Sequence, residues 1–221
     1  MTVPKPQYSA PQMAVRTALL LLVFTVVFTA LLAGVYRLTR PAIATSALQE
    51  KMKLVNEVLP NSEYDNDPLK DSLPLPPTPE LGLNEPSTLY RARRAGQPVA
   101  LVFEAVAPDG YAGKIRLLVA VRADGRILGV RAISHKETPG LGDYIEPKKD
   151  KNKTRPWITQ FNDLSADAPE TAWKVKKDGG NLDYHSGATV TPRAVAKAIR
   201  KAAEFTAKNK EKLFAGSGGT P

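Results

Sequence analysis

The first long apolar run, Ala18 to Tyr36 (ALLLLVFTVVFTALLAGVY), contains no charged residue and is bracketed by Arg16 and Arg37. Its nineteen residues, rising about 1.5 Å each, give roughly 28 Å, close to the hydrocarbon thickness of a bilayer. Thr25 and Thr29 suit such a span, because their hydroxyls can bond back to carbonyls of the preceding turn. The run exceeds the apolar core of a cleaved signal peptide, about 7–15 residues. The small-residue pattern Ala42-Ile43-Ala44 also lies well beyond its end. The expectation is an N-terminal tail over 1–17 and one retained transmembrane helix over 18–36.

Beyond Pro41 apolar residues recur at helical spacing, at Leu48, Met52, Val55 and Leu59, among Glu50, Lys51 and Lys53. That pattern predicts a short amphipathic helix. Pro60 to Pro86 then carries seven prolines with acidic or polar spacers. A stretch so poor in amide donors reads as a linker or wrapped loop, so 37–88 is expected to be a juxtamembrane helix and Pro-rich linker.

The folded domain is expected from Leu89. Pro98 to Ala107 (PVALVFEAVA) ends at Pro108-Asp109-Gly110, Tyr111 to Arg122 (YAGKIRLLVAVR) ends at Ala123-Asp124-Gly125, and Arg126 to Ser134 (RILGVRAIS) follows. An Asp-Gly pair between β-rich runs signals a tight hairpin, so three antiparallel strands open the domain. Helical spacing returns from Thr191 to about Lys212, with Val195, Ile199, Ala202, Phe205 and Leu213 on one face and basic residues opposite. The class is α+β: a small antiparallel or mixed sheet with packed helices over 89–212, and a flexible tail over 213–221 that includes Gly216-Ser217-Gly218-Gly219.

Composition narrows the chemistry. The chain has no cysteine, which removes disulfides, iron–sulfur ligation and a thiolate nucleophile. His135 and His185 are the two histidines, too few for a His-rich metal site. Any redox chemistry therefore rests on an organic cofactor. The formal charge of +9 is concentrated in Lys148, Lys149, Lys151, Lys153 and Arg155, and in Arg193, Lys197, Arg200, Lys201, Lys208, Lys210 and Lys212. Nucleic acid, anionic lipid, an acidic partner or a merely solvated basic surface would each account for it. No nucleic-acid-binding motif accompanies the charge, and no Gly-x-Gly-x-x-Gly opens a helix after a strand.

The most informative segment is Asp183-Tyr184-His185-Ser186-Gly187-Ala188-Thr189-Val190-Thr191-Pro192. It reads as a loop entering a helix, with Thr191 as N-cap and Pro192 in the first turn, where a missing N–H costs nothing. Free amides and the helix dipole favour an anion there, and Gly187 and Ala188 lack the bulk to block a phosphate. Thr189 puts a hydroxyl at that positive pole, with Arg193 and Lys197 one turn in. Taken alone, the segment also fits an ordinary capped helix.

Asp183, Ser186, Gly187, Ala188 and Thr189 form an Asp-x-x-Ser-Gly-Ala-Thr run that resembles the flavinylation motif of the FMN-binding domain family. That family includes the G-type subunit of the Rnf electron-transport complex and the C-type subunit of the sodium-pumping NADH:quinone reductase. His135-Lys136-Glu137-Thr138-Pro139-Gly140-Leu141-Gly142 resembles the family's loop along the isoalloxazine ring, and Gly110-Tyr111-Ala112-Gly113 its Gly-Tyr-x-Gly strand start. The proline and glycines suit a loop whose backbone approaches a planar ring while Leu141 covers its face. Gly179-Gly180 and Val190-Thr191-Pro192-Arg193 are most similar to the G-type branch, whereas Tyr184-His185 departs from the more neutral residues common there.

The resemblance implies FMN, a covalent phosphoester to Thr189 made by a flavin transferase, and a ring near Thr138, Gly140, Leu141, Gly142 and Tyr111. Lys174 is expected beside the ring, where a cation would stabilise reduced flavin. Trp157 and Phe161 read as core. The implied role is an electron-carrying member of an Rnf-type translocase between NADH and ferredoxin, with membrane and peripheral subunits as partners. The implied place is a bacterial inner membrane, single-pass, with the flavin domain periplasmic. Alternatives are the C-type member of the sodium-pumping reductase and a non-redox, membrane-tethered anion- or nucleic-acid-binding module.

Overall fold

The computed structural model describes residues 10–215. These fall into two compact units divided between Lys51 and Met52. A single helix, α1 (Ala10–Val58), contributes to both. Within the first unit, Pro11–Arg40 is long and apolar enough to cross a membrane, with mean hydropathy 2.7 and none of it buried by protein. Thr25 Oγ1 donates to Leu21 O at 2.7 Å, the back-bond that lets a hydroxyl sit in an apolar helix. The expected separate juxtamembrane helix is instead a continuation of α1 through Pro41. Its final turns are held by tertiary packing, since Val55, Val58 and Leu59 are buried against the sheet of the second unit. The Leu48 side chain lies outside the described residues.

The second unit is built on a five-stranded antiparallel meander: β1 (Ser72–Leu75), β2 (Ser87–Arg94), β3 (Gln97–Gly110), β4 (Gly113–Arg122) and β5 (Ile127–Ser134). The mixed alternative is excluded for this sheet, because every pairing is antiparallel. Alternate residues explain why β3 and β4 read as unbroken apolar runs. Leu101, Phe103 and Ala105 of β3, with Leu117 and Val119 of β4, face helix α2 (Val190–Phe214); Ala100 and Val102, with Leu118 and Ala120, face the end of α1. A sheet covered on both faces needs apolar residues at both parities. Gly129 permits the close approach on the second face, since a Cβ there would come within 2.6 Å of Val58 O.

Two boundaries move. Residues 60–86 are not a linker: β1 pairs with β2, and Leu75, Leu81 and Leu83 are buried in the main core. Their prolines are tolerated because β1 is a short edge strand, where Pro74 needs no outward donor. At the other end α2 continues to Phe214 with Leu213 buried, so 213–214 belong to the helix, and the glycine-rich tail lies outside the described residues. Trp157 and Phe161 are core as expected, buried edge to face with centroids 5.3 Å apart.

Candidate functional site

The β3–β4 turn, the loop after β5 and the start of α2 meet at one buried carboxylate. Glu137 is 5% exposed; its Oε1 accepts from the Ala112 N–H at 3.1 Å and its Oε2 from the Thr191 hydroxyl. Gly142 leaves room for it, and Gly110 lies beside it in a turn already tight against Gly113 O. A Cβ on Gly110 would lie 2.9 Å from Oε1, and one on Gly142 would lie 2.6 Å from Oε2 and 2.7 Å from Thr191 Oγ1. Sequence reasoning missed Glu137 because a glutamate inside a proline–glycine loop reads as solvated. Its signal is visible only once the three segments are together.

The loop itself is closed on its own backbone. The Leu141 and Gly142 amides both donate to Thr138 O at 3.1 Å, and the Gly140 N–H donates to buried Asp143 Oδ1 at 2.8 Å. These amides are therefore spent internally, and the loop presents the exposed Leu141 side chain rather than a row of N–H donors. Beside it, His135 Nδ1 accepts from the Glu137 N–H at 3.1 Å while Nε2 lies 2.6 Å from Glu146 Oε1, which fits the Nε2–H tautomer. Partial burial pushes the Glu146 carboxyl upward, but Lys149 and His135 outweigh it and hold the group below its ordinary value.

The Asp183–Thr189 segment is a tight turn, with the Ala188 N–H returning to His185 O at 3.0 Å and Gly187 at φ +84°. A positive φ is what glycine supplies there. The turn rests on aromatic supports. Tyr144 lies over His185 with centroids 3.9 Å apart and donates to Ala188 O at 3.3 Å; Trp157 Nε1 donates to Asp183 O at 2.6 Å. Burial drives the Tyr144 phenol far above its usual value, and the Asp150 and Glu137 charges add to this, so it remains a donor. Ser186 and Gly187 are left exposed at the crown, Ala188 is buried, and Thr189 is partly exposed.

Thr191 is not the N-cap. The helix begins at Val190, Thr189 holds the cap position without a side-chain cap bond, and the Thr191 hydroxyl is committed to Glu137. The cations expected to greet an anion are also engaged. Arg193 binds Asp178 through two bonds of 2.7 and 2.6 Å, and Lys197 reaches Asp109 at 2.8 Å. The bond to Lys197 holds the Asp109 carboxyl below its ordinary value. Lys174 is paired with Glu170 at 2.8 Å and Asp183 with Lys176, so neither is a bare charge.

Among the described residues of the second unit, the exposed large apolar side chains are Tyr111, Leu141 and Val190. Each is next in sequence to a residue against Glu137: Ala112, Gly142 and Thr191. Exposed apolar residues on the three segments that meet at Glu137, with a threonine at a helix mouth that makes no cap bond, suit a planar aromatic group carrying a phosphate. No group of metal-ligating side chains occurs among the described residues.

Comparison with known proteins points to one family. Residues 110–204 match the model of the FMN-binding domain, and residues 1–58 match that of the RnfG N-terminal region. The chain is 46% identical to the G subunit of the ion-translocating oxidoreductase complex of Pseudomonas aeruginosa PAO1, over 90% of this chain and 92% of the relative. It is 40% identical to the proteins of the same name from Shewanella amazonensis (90% and 91% covered) and Vibrio cholerae O395 (90% and 92% covered).

Proposed function

The chain belongs to the RnfG family of ion-translocating oxidoreductase complexes, and from that membership we propose how its second unit holds and uses FMN. It is a membrane-anchored FMN electron-transfer component of an Rnf-type complex. The C-type member of the sodium-pumping reductase is the weaker reading, since the relatives named above are all of the G type.

In this reading Thr189 carries the FMN phosphate as an ester formed by a flavin transferase. Ser186, Gly187 and Ala188 shape the turn that exposes it, and Tyr111, Leu141 and Val190 bracket the ring. Thr138, Gly140 and Gly142 shape the loop beneath it, and Asp183 fixes the base of the turn. Lys174 acts at longer range, its charge offset by its pair with Glu170. FMN exchanges electrons singly or in pairs, which suits a relay between carriers of different stoichiometry. The protein's part is to seat the ring, exclude water from one face and leave an edge open to other subunits. The observation that carries this is the meeting at Glu137 of three segments, each bearing an exposed apolar residue, one of them the helix start next to Thr189.

The chain isolated from membranes through an affinity tag is expected to bring further complex subunits with it and a flavin absorbance that NADH bleaches. A colourless chain isolating alone would contradict the proposal. We further propose that the second unit faces the periplasm. Charge gives little help: Lys5 and Arg16 precede the span and Arg37, Arg40, Lys51 and Lys53 follow it, a weak guide for a long domain. Alkaline phosphatase fused at the C-terminus should be active and green fluorescent protein dark. The reverse pair would place the flavin in the cytoplasm.

A further inference from the structure

Resting on the reading that FMN is seated beside Thr189, we propose that Glu137 is a positioning residue. Its carboxylate fixes the ring platform, and its charge holds the flavin's reduction potential down. Several observations carry this. The carboxylate is buried, yet among the described residues no lysine, arginine or histidine forms an ion pair with it. Its two oxygens tie the turn bearing Tyr111 to the helix start bearing Val190, and the loop bearing Leu141 grows from its own backbone. Space for it is left by Gly142, where a Cβ would meet Glu137 Oε2 first. A platform assembled from three segments needs one such junction, because each segment alone is a surface turn with freedom to shift.

Reduction adds electron density to the flavin ring, and a fixed negative group in a poorly solvated site opposes it. The neighbouring acids do not share the role equally. Glu146 is offset by Lys149 and His135, and Asp143 bonds only within its own loop, whereas Glu137 joins two further segments. Glutamine at 137 keeps the shape and both contacts, since its oxygen can still accept from Ala112 and its amide can donate to the Thr191 oxygen. It removes only the charge. Alanine removes both.

The test uses the full-length flavinylated chain in detergent, with spectroelectrochemical titration and the visible flavin spectrum as readouts. Glu137→Gln is expected to retain the unmutated spectrum while its midpoint potential rises. At the unmutated midpoint the reduced-to-oxidised ratio should grow on the order of tenfold, the size of one partly screened charge. Glu137→Ala should alter the spectrum as well. Glu104→Gln, which neutralises a carboxylate paired with Arg116 on the opposite sheet face, should change neither. A Glu137→Gln potential equal to the unmutated one, or matched by Glu104→Gln, would overturn the inference even if Glu137→Ala misfolds. An unmutated chain that keeps no flavin after denaturation would instead overturn the covalent reading beneath it.

Discussion

Thr189→Val is expected to abolish covalent flavin while leaving the fold in place. Valine preserves the branched shape and removes the one oxygen that can carry the ester. The fold should tolerate the change because the Thr189 hydroxyl makes no cap bond and the side chain is only partly buried. In-gel fluorescence of the denatured chain under ultraviolet light should be dark for this variant and bright for Thr191→Val. The structure sharpens that contrast, because the Thr191 hydroxyl is 1% exposed and already donates to Glu137. Thr191→Val should therefore cost stability, about 1–3 kcal/mol for a buried carboxylate oxygen left without its donor, and still retain flavin. A bright Thr189→Val band would move the ester to Ser186 and remove the assignment.

The second large effect is expected at Gly142. Its φ of −95° is ordinary for any residue, so a side chain there meets no backbone strain. It meets atoms: Glu137 Oε2 and Thr191 Oγ1 lie within 2.7 Å of the position a Cβ would take. Gly142→Val should force Glu137 off both partners, at about 3 kcal/mol from overpacking and the lost bonds together. Gly140 presents the opposite case, a φ of +77° with nothing within 4 Å of a built Cβ. Gly140→Val should cost about 1–2 kcal/mol of backbone strain. Denaturant unfolding followed by tryptophan fluorescence reports both, since Trp157 and Trp173 lie in the second unit. Equal losses in the two variants would show that Gly142 is not reserved for Glu137.

These two glycines also show what the sequence could and could not disclose. The loop was legible as a proline–glycine turn, but local spacing does not tell a strained glycine from one that yields space to a distant side chain. The strands β3 to β5 and helix α2 were legible because their patterns are local: an Asp-Gly hairpin, apolar runs, and a 3.6-residue repeat. Strand β1 was not. Prolines at 74, 76, 77 and 79 disguise a short edge strand whose pairing depends on β2, not on its own propensity. At the site, the motif around Thr189 was readable and its supports were not, because Tyr144 and Trp157 reach it from more than 25 residues away. Likewise Arg193 and Lys197 looked available to an anion until Asp178 and Asp109 came within bonding distance.

A flavin joined covalently to this chain is tested most directly by the intact mass of the denatured full-length protein. Produced with a flavin transferase, the chain should weigh more than its sequence by one FMN less one water. Peptide mapping should place the added mass on the fragment containing Thr189. An unmodified mass, with any yellow colour lost to the supernatant on denaturation, would contradict the account.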